Sequence, residues 1–173
     1  MAHLVIDGYN LIRRSGTLSQ IDARNLERGR IALLQRLAHY RQSHGHSVTV
    51  VFDASNSTNM EIEKYRVAGI EVLYSAQGKS ADEIIIRIAR HFGSRVIIVT
   101  SDREILNAAK GSGCGCLTSD EFLKKMDPPS MTQTNEERDQ KHPMYKKHKR
   151  WITKKKGPAK KLPKAKRRAL AKL

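Results

Sequence analysis

Residues 3–12 read HLVIDGYNLI, a short apolar run that ends abruptly in a carboxylate. Residues 3–7 predict a buried strand with Asp7 at its end. A carboxylate beside a core is costly unless it is hydrogen-bonded, paired with a charge or bound to a metal. Asp7 therefore either caps the turn that Gly8 permits or belongs to a site at the end of the strand.

Further apolar runs alternate with amphipathic segments along the first 126 residues. Strands are predicted at 48–53, 70–75 and 95–101, with a short fifth strand at 114–118. Helices are predicted at 22–43, 81–92, 102–111 and about 120–126, and residues 60–69 are compatible with a helix or a loop. Apolar strands separated by helices indicate an α/β fold, with a mostly parallel sheet of four to five strands covered on both faces.

Charge divides the chain into a nearly neutral part and a strongly basic one. The 173 residues carry a formal net charge of +16, and all 17 acidic residues lie between Asp7 and Asp139. The first 140 residues hold 18 basic side chains against those 17 acids, whereas residues 141–173 hold 15 basic side chains and no acid. We therefore predict a globular domain over 1–126, a linker over 127–140 and a basic tail over 141–173.

The tail has too few apolar residues to form a core, so we expect it to be disordered when free. Polycations bind nucleic acid by displacing condensed counterions, and aromatic rings among lysines can stack on unpaired bases. RNA or the ribosome is the favoured partner, DNA is second, and a solubilising role is the alternative. The tail residues assigned to nucleic-acid binding are Tyr145, Lys146, Lys147, Lys149, Arg150, Trp151, Lys154, Lys155 and Lys156.

Several function classes lack their sequence signals. No stretch is long and apolar enough to span a bilayer, and the N-terminus lacks a signal-peptide pattern, so a soluble cytoplasmic protein with no membrane partner is expected. Neither a P-loop nor a dinucleotide-binding glycine pattern is present. A phosphatase with an Asp-x-Asp nucleophile would need an acid where Tyr9 stands.

Aspartates stand at the ends of the predicted strands. Asp7 and Asp53 end two of them, Asp102 follows a third, and Asp82 opens the helix after another. Ligands of open parallel sheets bind beyond the carboxyl ends of the strands, so these four side chains are expected to meet. Carboxylates gathered there raise one another's pKa, and a hard divalent cation such as Mg²⁺ or Mn²⁺ relieves the repulsion.

Helix capping is the competing explanation for part of this set. Residues 80–83, 101–104 and 118–121 each fit a capping box, and acids in a first turn complement the helix dipole. Capping alone accounts for Asp82 or Asp102 taken singly. It does not account for Asp7 and Asp53, which directly terminate apolar runs, so the set of four favours a metal site.

Four motifs in order resemble the YacP-like NYN domain family of the PIN-like nuclease superfold: IDGYN at 6–10, VFDAS at 51–55, SADE at 80–83 and TSDRE at 100–104. The resemblance covers residues 3–126. It implies a three-layer α/β/α domain and a metal-dependent ribonuclease. It also implies that Asp7, Asp82 and Asp102 form the metal-binding core, with Asp53 matching a further family motif.

Three neighbouring residues have two interpretations each. Asn10 matches the family's DGYN element, where it would orient a ligand or a substrate phosphate, or it is simply a turn residue. Lys79 and Arg103 stand beside the predicted site and would contact phosphate as charges, or they are solvated surface residues.

The sequence-based hypothesis is a metal-dependent endoribonuclease that uses Mg²⁺ or Mn²⁺ to hydrolyse RNA phosphodiester bonds. Some members of the family that the chain resembles are associated with the ribosome, so the resemblance also implies ribosome binding as an expectation. The alternative is a non-catalytic adaptor that binds RNA or the ribosome on a nuclease-like scaffold. A magnesium-dependent phosphatase acting on small molecules is a third candidate, which the basic tail disfavours.

Overall fold

The computed structural model describes residues 1–54 and 60–127. The strands are β1 (His3–Asp7), β2 (Ser47–Phe52), β3 (Glu63–Val67), β4 (Ile70–Tyr74), β5 (Val96–Val99) and β6 (Gly115–Leu117). The helices are α1 (Gly8–Arg14), α2 (Gly16–Arg24), α3 (Leu26–His44), α4 (Ala81–Phe92), α5 (Arg103–Gly111) and α6 (Ser119–Met126). No helix within these two ranges is long and apolar enough to cross a membrane.

The strands form one sheet in the order β3-β4-β2-β1-β5-β6. All neighbours are parallel except β3 and β4, which pair antiparallel. The first strand lies near the centre, where Ile6 pairs with Val50 on one side and Val99 on the other. Asp7 therefore stands in the middle of the carboxyl edge, between the ends of β2 and β5.

Two apolar cores lie on opposite faces of this sheet and make the structure three-layered, as predicted. On one face, Ile6 and Phe52 pack with buried residues of α1, α3 and α6, such as Leu33 and Phe122. On the other face, Val5 packs with buried residues of α4 and α5. Alternation along each strand sends neighbouring side chains to different cores. Asp7, two residues after Val5, thus shares the face of α4 and α5.

The helix predicted over 22–43 is wrong at its start, because the chain forms two helices separated at Asn25. This residue has an extended backbone, with φ −164° and ψ 113°. Its side-chain oxygen accepts the N–H of Arg28 at 2.9 Å and so begins α3 as an N-cap. The preceding helix, α2, and the helix α1 that follows Asp7 were not predicted.

The sheet has six strands rather than four to five, because part of residues 60–69 forms β3. Tyr65 and Val67 of this strand point inward in alternation with exposed neighbours. The hairpin to β4 turns at Ala68 and Gly69, whose φ values of 50° and 79° suit a tight turn between twisted strands. An alanine in this left-handed conformation is uncommon, so the turn is not evident from residue type.

The close contact at Gly8 gives a test of this packing. A Cβ atom added at Gly8 would lie 2.3 Å from Cε1 of Phe52, a fully buried ring. Gly8→Ala is therefore expected to lower the free energy of unfolding by about 1–3 kcal/mol, measured by urea denaturation. Gly16→Ala is the control, because its added Cβ would meet nothing within 4 Å apart from its chain neighbours and the backbone of its own helix. Equal stability of the two variants would contradict the predicted steric conflict.

Candidate active site

Asp7 is the most firmly held carboxylate of the candidate site. Its side chain is buried, with the residue only 8% exposed, and it caps the N-terminus of α1. One carboxylate oxygen accepts the N–H of Asn10 and the other accepts the hydroxyl of Thr100, both at 3.1 Å. Burial raises the pKa of Asp7 above its ordinary value of 3.8, and the negative charges of Asp82 and Asp102 raise it further, against the lowering effect of the two hydrogen bonds.

Thr100 joins Asp7 to Asp102. Its fully buried hydroxyl donates to Asp7 and accepts the backbone N–H of Asp102 at 3.1 Å. Asp102 in turn is the N-cap of α5, where Oδ1 accepts the N–H groups of Glu104 and Ile105 at 2.8 and 3.2 Å. One buried threonine thus sets the relative position of the carboxylate at the end of β1 and the carboxylate that begins α5.

The predicted capping box over 101–104 is wrong, because Asp102 rather than Ser101 caps the helix. Ser101 is engaged elsewhere: its N–H donates to the side-chain oxygen of Asn10 at 2.9 Å, and its hydroxyl accepts the N–H of Ser119 at 3.2 Å. The hydroxyl of Ser119 donates to the same oxygen of Asn10 at 2.8 Å. Asn10 therefore ties α1 to the β5–α5 loop and to α6.

Asp53 follows β2 at the same edge and is half-buried. Its Oδ1 accepts the hydroxyl of Ser75 at 3.1 Å, and that hydroxyl accepts the N–H of Ala54 at 2.9 Å. A serine just beyond β4 therefore holds this carboxylate, much as Thr100 holds Asp7.

Asp82 lies exposed in the first turn of α4. Ser80 caps this helix, accepting the N–H of Glu83 at 3.2 Å, but no return bond from the Glu83 side chain completes the predicted capping box among the described residues. Partial desolvation raises the pKa of Asp82, and the charges of Asp102, Asp53 and Glu104 add to that effect.

The four predicted aspartates, hereafter the acidic edge, interact electrostatically. The charges of Asp82 and Asp102 raise the pKa of Asp7, and those of Asp102 and Asp53 raise the pKa of Asp82. Glu104 also contributes negative charge, which sequence reasoning missed because its position suggested a capping partner. Over residues 1–54 and 60–127, no three acidic, histidine or cysteine side chains converge closely enough to form a ready metal-ligand set.

The predicted basic contacts are placed only in part. Lys79 is exposed in the loop before α4, and Arg103 is the exposed first residue of α5, so both lie next to the acidic edge along the chain. Neither joins a salt bridge within the part of the chain that the structure describes. The tail residues assigned to nucleic-acid binding, like the linker, fall outside the described residues.

A sequence model of the YacP-like NYN domain matches residues 4–173. The chain belongs to the YacP-like NYN domain family. The match runs through the basic tail, so the family pattern extends beyond residue 126, where the four motifs had suggested that the resemblance ends. The domain accordingly has a nuclease-type scaffold.

Individual relatives agree with this assignment. The chain is 30% identical to YacP of Bacillus subtilis (strain 168) over 127 residues, which is 72% of this chain and 74% of that protein. It resembles the crystal structure of Rae1 (YacP) from Bacillus subtilis with a TM-score of 0.61 and 26% identity, covering 99% of this chain and 89% of that one. A crystal structure of a single-residue variant of Rae1 matches with a TM-score of 0.60 and 30% identity over 73% and 75% of the two chains.

The raised pKa of Asp7 predicts how stability depends on pH. Because the unfolded chain releases this proton at lower pH than the native protein does, the free energy of unfolding falls as pH rises from about 4 through the raised pKa. In EDTA, Asp7→Asn should therefore gain stability relative to the wild type between pH 4 and pH 7, as measured by urea denaturation.

Asp120→Asn is the matched control for this comparison. Asp120 lies in the first turn of α6 and pairs with Arg14 at 2.5 Å near the protein surface. Its loss should give no comparable gain, because an exposed ion pair contributes little. A stability difference between Asp7→Asn and wild type that stays constant with pH would contradict the assignment.

Proposed function

We propose that the chain is a metal-dependent endoribonuclease that hydrolyses RNA phosphodiester bonds at the acidic edge. The observation that carries the proposal is the buried Asp7, whose charge is disfavoured by burial and by two neighbouring carboxylates. Burying this carboxylate lowers the stability of the fold, and the clustered negative charge repels the phosphates of RNA. A protein that only binds RNA gains nothing from either effect. The nuclease-type scaffold of the family also favours a nuclease activity.

The residues of the acidic edge fit a hard divalent cation. All four side chains offer carboxylate oxygens, the ligands that Mg²⁺ and Mn²⁺ prefer. Asp7, Asp82 and Asp102 would hold the ion and Asp53 would support it. A cation bound there would lower the pKa of the attacking water and stabilise the charge that develops on the phosphate.

The protein's own groups prepare this edge in different ways. Thr100 and Asn10 fix the carboxylate of Asp7. Ligand binding therefore costs no further conformational entropy of this side chain. Asp102 uses one oxygen to cap α5 and keeps the other for a ligand. Asp82 is exposed and can change rotamer, which is how three carboxylates that do not converge would come together around an ion.

The basic tail would supply affinity rather than chemistry. Its charge of +15 over residues 141–173 attracts the RNA backbone and offsets the repulsion from the acidic edge. We propose RNA as the partner, with the ribosome as the context in which RNA is presented, and the cytoplasm as the location.

One observation favours a second candidate, the non-catalytic adaptor. No ready ligand set of three acidic, histidine or cysteine side chains is formed within residues 1–54 and 60–127. If the acidic edge never binds a cation, the tail would still bind RNA or the ribosome. Tight, salt-sensitive RNA binding without metal-dependent cleavage would identify this case.

Cleavage of a labelled single-stranded RNA tests the proposal. The wild type should cut in Mg²⁺ or Mn²⁺ and not in EDTA. Asp7→Asn, Asp82→Asn and Asp102→Asn should each reduce kcat/KM at least about 10²-fold, since each removes an interaction that stabilises charge in the transition state. Gel-resolved initial rates measure the effect.

Asp120→Asn makes the same chemical change in the first turn of another helix and should keep the wild-type rate. Melting temperatures of all variants show whether a reduced rate is caused by unfolding. Cleavage that persists in EDTA, or that survives Asp7→Asn unchanged, would refute the proposed site.

A further inference from the structure

Aromatic rings line the other side of the same sheet edge. The ring of Tyr9 lies edge-on to Phe52, with centroids 5.3 Å apart, and Phe52 stacks with Tyr74 at 5.5 Å. These rings are sequence neighbours of the acidic edge, since Tyr9 follows Asp7 by two residues and Phe52 precedes Asp53. Strand alternation points Phe52 and Tyr74 toward α3 and toward α1, which carries Tyr9, whereas Asp7 and Asp53 point toward α4 and α5.

Arg30, on α3, is held among these rings. Its guanidinium donates to the hydroxyl of Tyr9 at 3.2 Å and lies 5.6 Å from the ring centroid of Tyr74. Its Nε is buried and has no hydrogen-bond partner in the part of the chain that the structure describes. No salt bridge occupies Arg30 within that part either.

Arg13 adds a second positive charge at the same place. It is exposed in the last turn of α1, and its guanidinium carbon lies 5.9 Å from the ring centroid of Tyr9. Asp22 of α2 is within electrostatic range of both arginines: burial raises its pKa, and the positive charges of Arg30 and Arg13 lower it.

We propose that Tyr9, Arg13 and Arg30 form a nucleotide subsite that holds the RNA strand beside the acidic edge. This inference rests on the proposed function and names the part of the protein that orients its substrate. Arg13 and Arg30, which form no salt bridge with any residue that the structure describes, would bind phosphate oxygens as planar donors, and the half-buried Tyr9 ring would contact a base.

The subsite solves a problem that the acidic edge creates. Phosphates are repelled by clustered carboxylates, so a strand must be anchored next to them by groups of opposite charge. The arginines lie across the edge of the sheet from those carboxylates. A strand that crosses this edge would place one nucleotide on Tyr9 and the arginines and the neighbouring phosphate at Asp7.

Photocrosslinking tests this placement without relying on cleavage. The full chain is irradiated in EDTA with a short single-stranded RNA that contains 4-thiouridine, and crosslinked tryptic peptides are mapped by mass spectrometry. The N-terminal peptide that contains Tyr9 should carry RNA. The double variant Arg13→Gln with Arg30→Gln should show about 10-fold less of this crosslink, as expected when charge-assisted hydrogen bonds to phosphate are removed.

Arg28→Gln is the matched control, because Arg28 lies on the same helix two residues from Arg30 and is exposed. It should leave the crosslink at the N-terminal peptide unchanged. If the double variant melts early, Arg13→Gln alone replaces it, since this exposed side chain can be changed without opening the core. The salt dependence of binding should also weaken, by about 0.7 in log–log slope for each phosphate that is no longer neutralised.

Crosslinks confined to residues 141–173, or equal crosslinking at the N-terminal peptide in the double variant and Arg28→Gln, would overturn the subsite. Cleavage of the same RNA in Mn²⁺ separates this result from the proposed function. Cleavage without a crosslink at the N-terminal peptide would refute the subsite and support the nuclease activity. A crosslink at the N-terminal peptide without cleavage would support the subsite and refute the nuclease activity.

Discussion

The buried carboxylate of Asp7 at the end of the central strand is the constraint on which the rest of the site depends. It lies at the point where β1, β2 and β5 end together, and it is held by Asn10 and by the hydroxyl of Thr100. The same hydroxyl positions Asp102, and Asn10 reaches on to Ser101 and Ser119. A single network thus fixes two carboxylates and joins α1, α5 and α6 around them.

The two faces of the sheet give its carboxyl edge two different chemistries. At this edge Asp7 and Asp53 point toward α4 and α5. On the opposite face Phe52 and Tyr74 pack with Tyr9 of α1, and Arg13 and Arg30 contact the rings of Tyr9 and Tyr74. Strand alternation makes this separation unavoidable once Asp53 follows Phe52 directly. Under the proposed function, the arginines would hold a polyanion next to the carboxylates that repel it, and so would position a phosphate at the acidic edge.

Sequence reasoning succeeded where local pattern and burial agree. The helix over 81–92 was predicted at its observed bounds, because its apolar residues recur with helical period behind the cap at Ser80. It failed where tertiary contacts decide, as in β3, which is a strand because it pairs with β4, and at Asn25, whose cap splits one predicted helix into two. Arg30 could not be found from the chain, because it approaches Tyr9 across 21 residues and carries no motif.

Calorimetric titration of Mn²⁺ into the wild type, Asp7→Asn and Asp120→Asn tests the central claim most directly, because it asks whether Asp7 holds an ion without requiring the right RNA. We predict binding heat for the wild type and Asp120→Asn, with affinity weakened at least about 10-fold in Asp7→Asn. Equal Mn²⁺ affinity in all three proteins would contradict it, because the ion would then bind without the carboxylate around which the site is built.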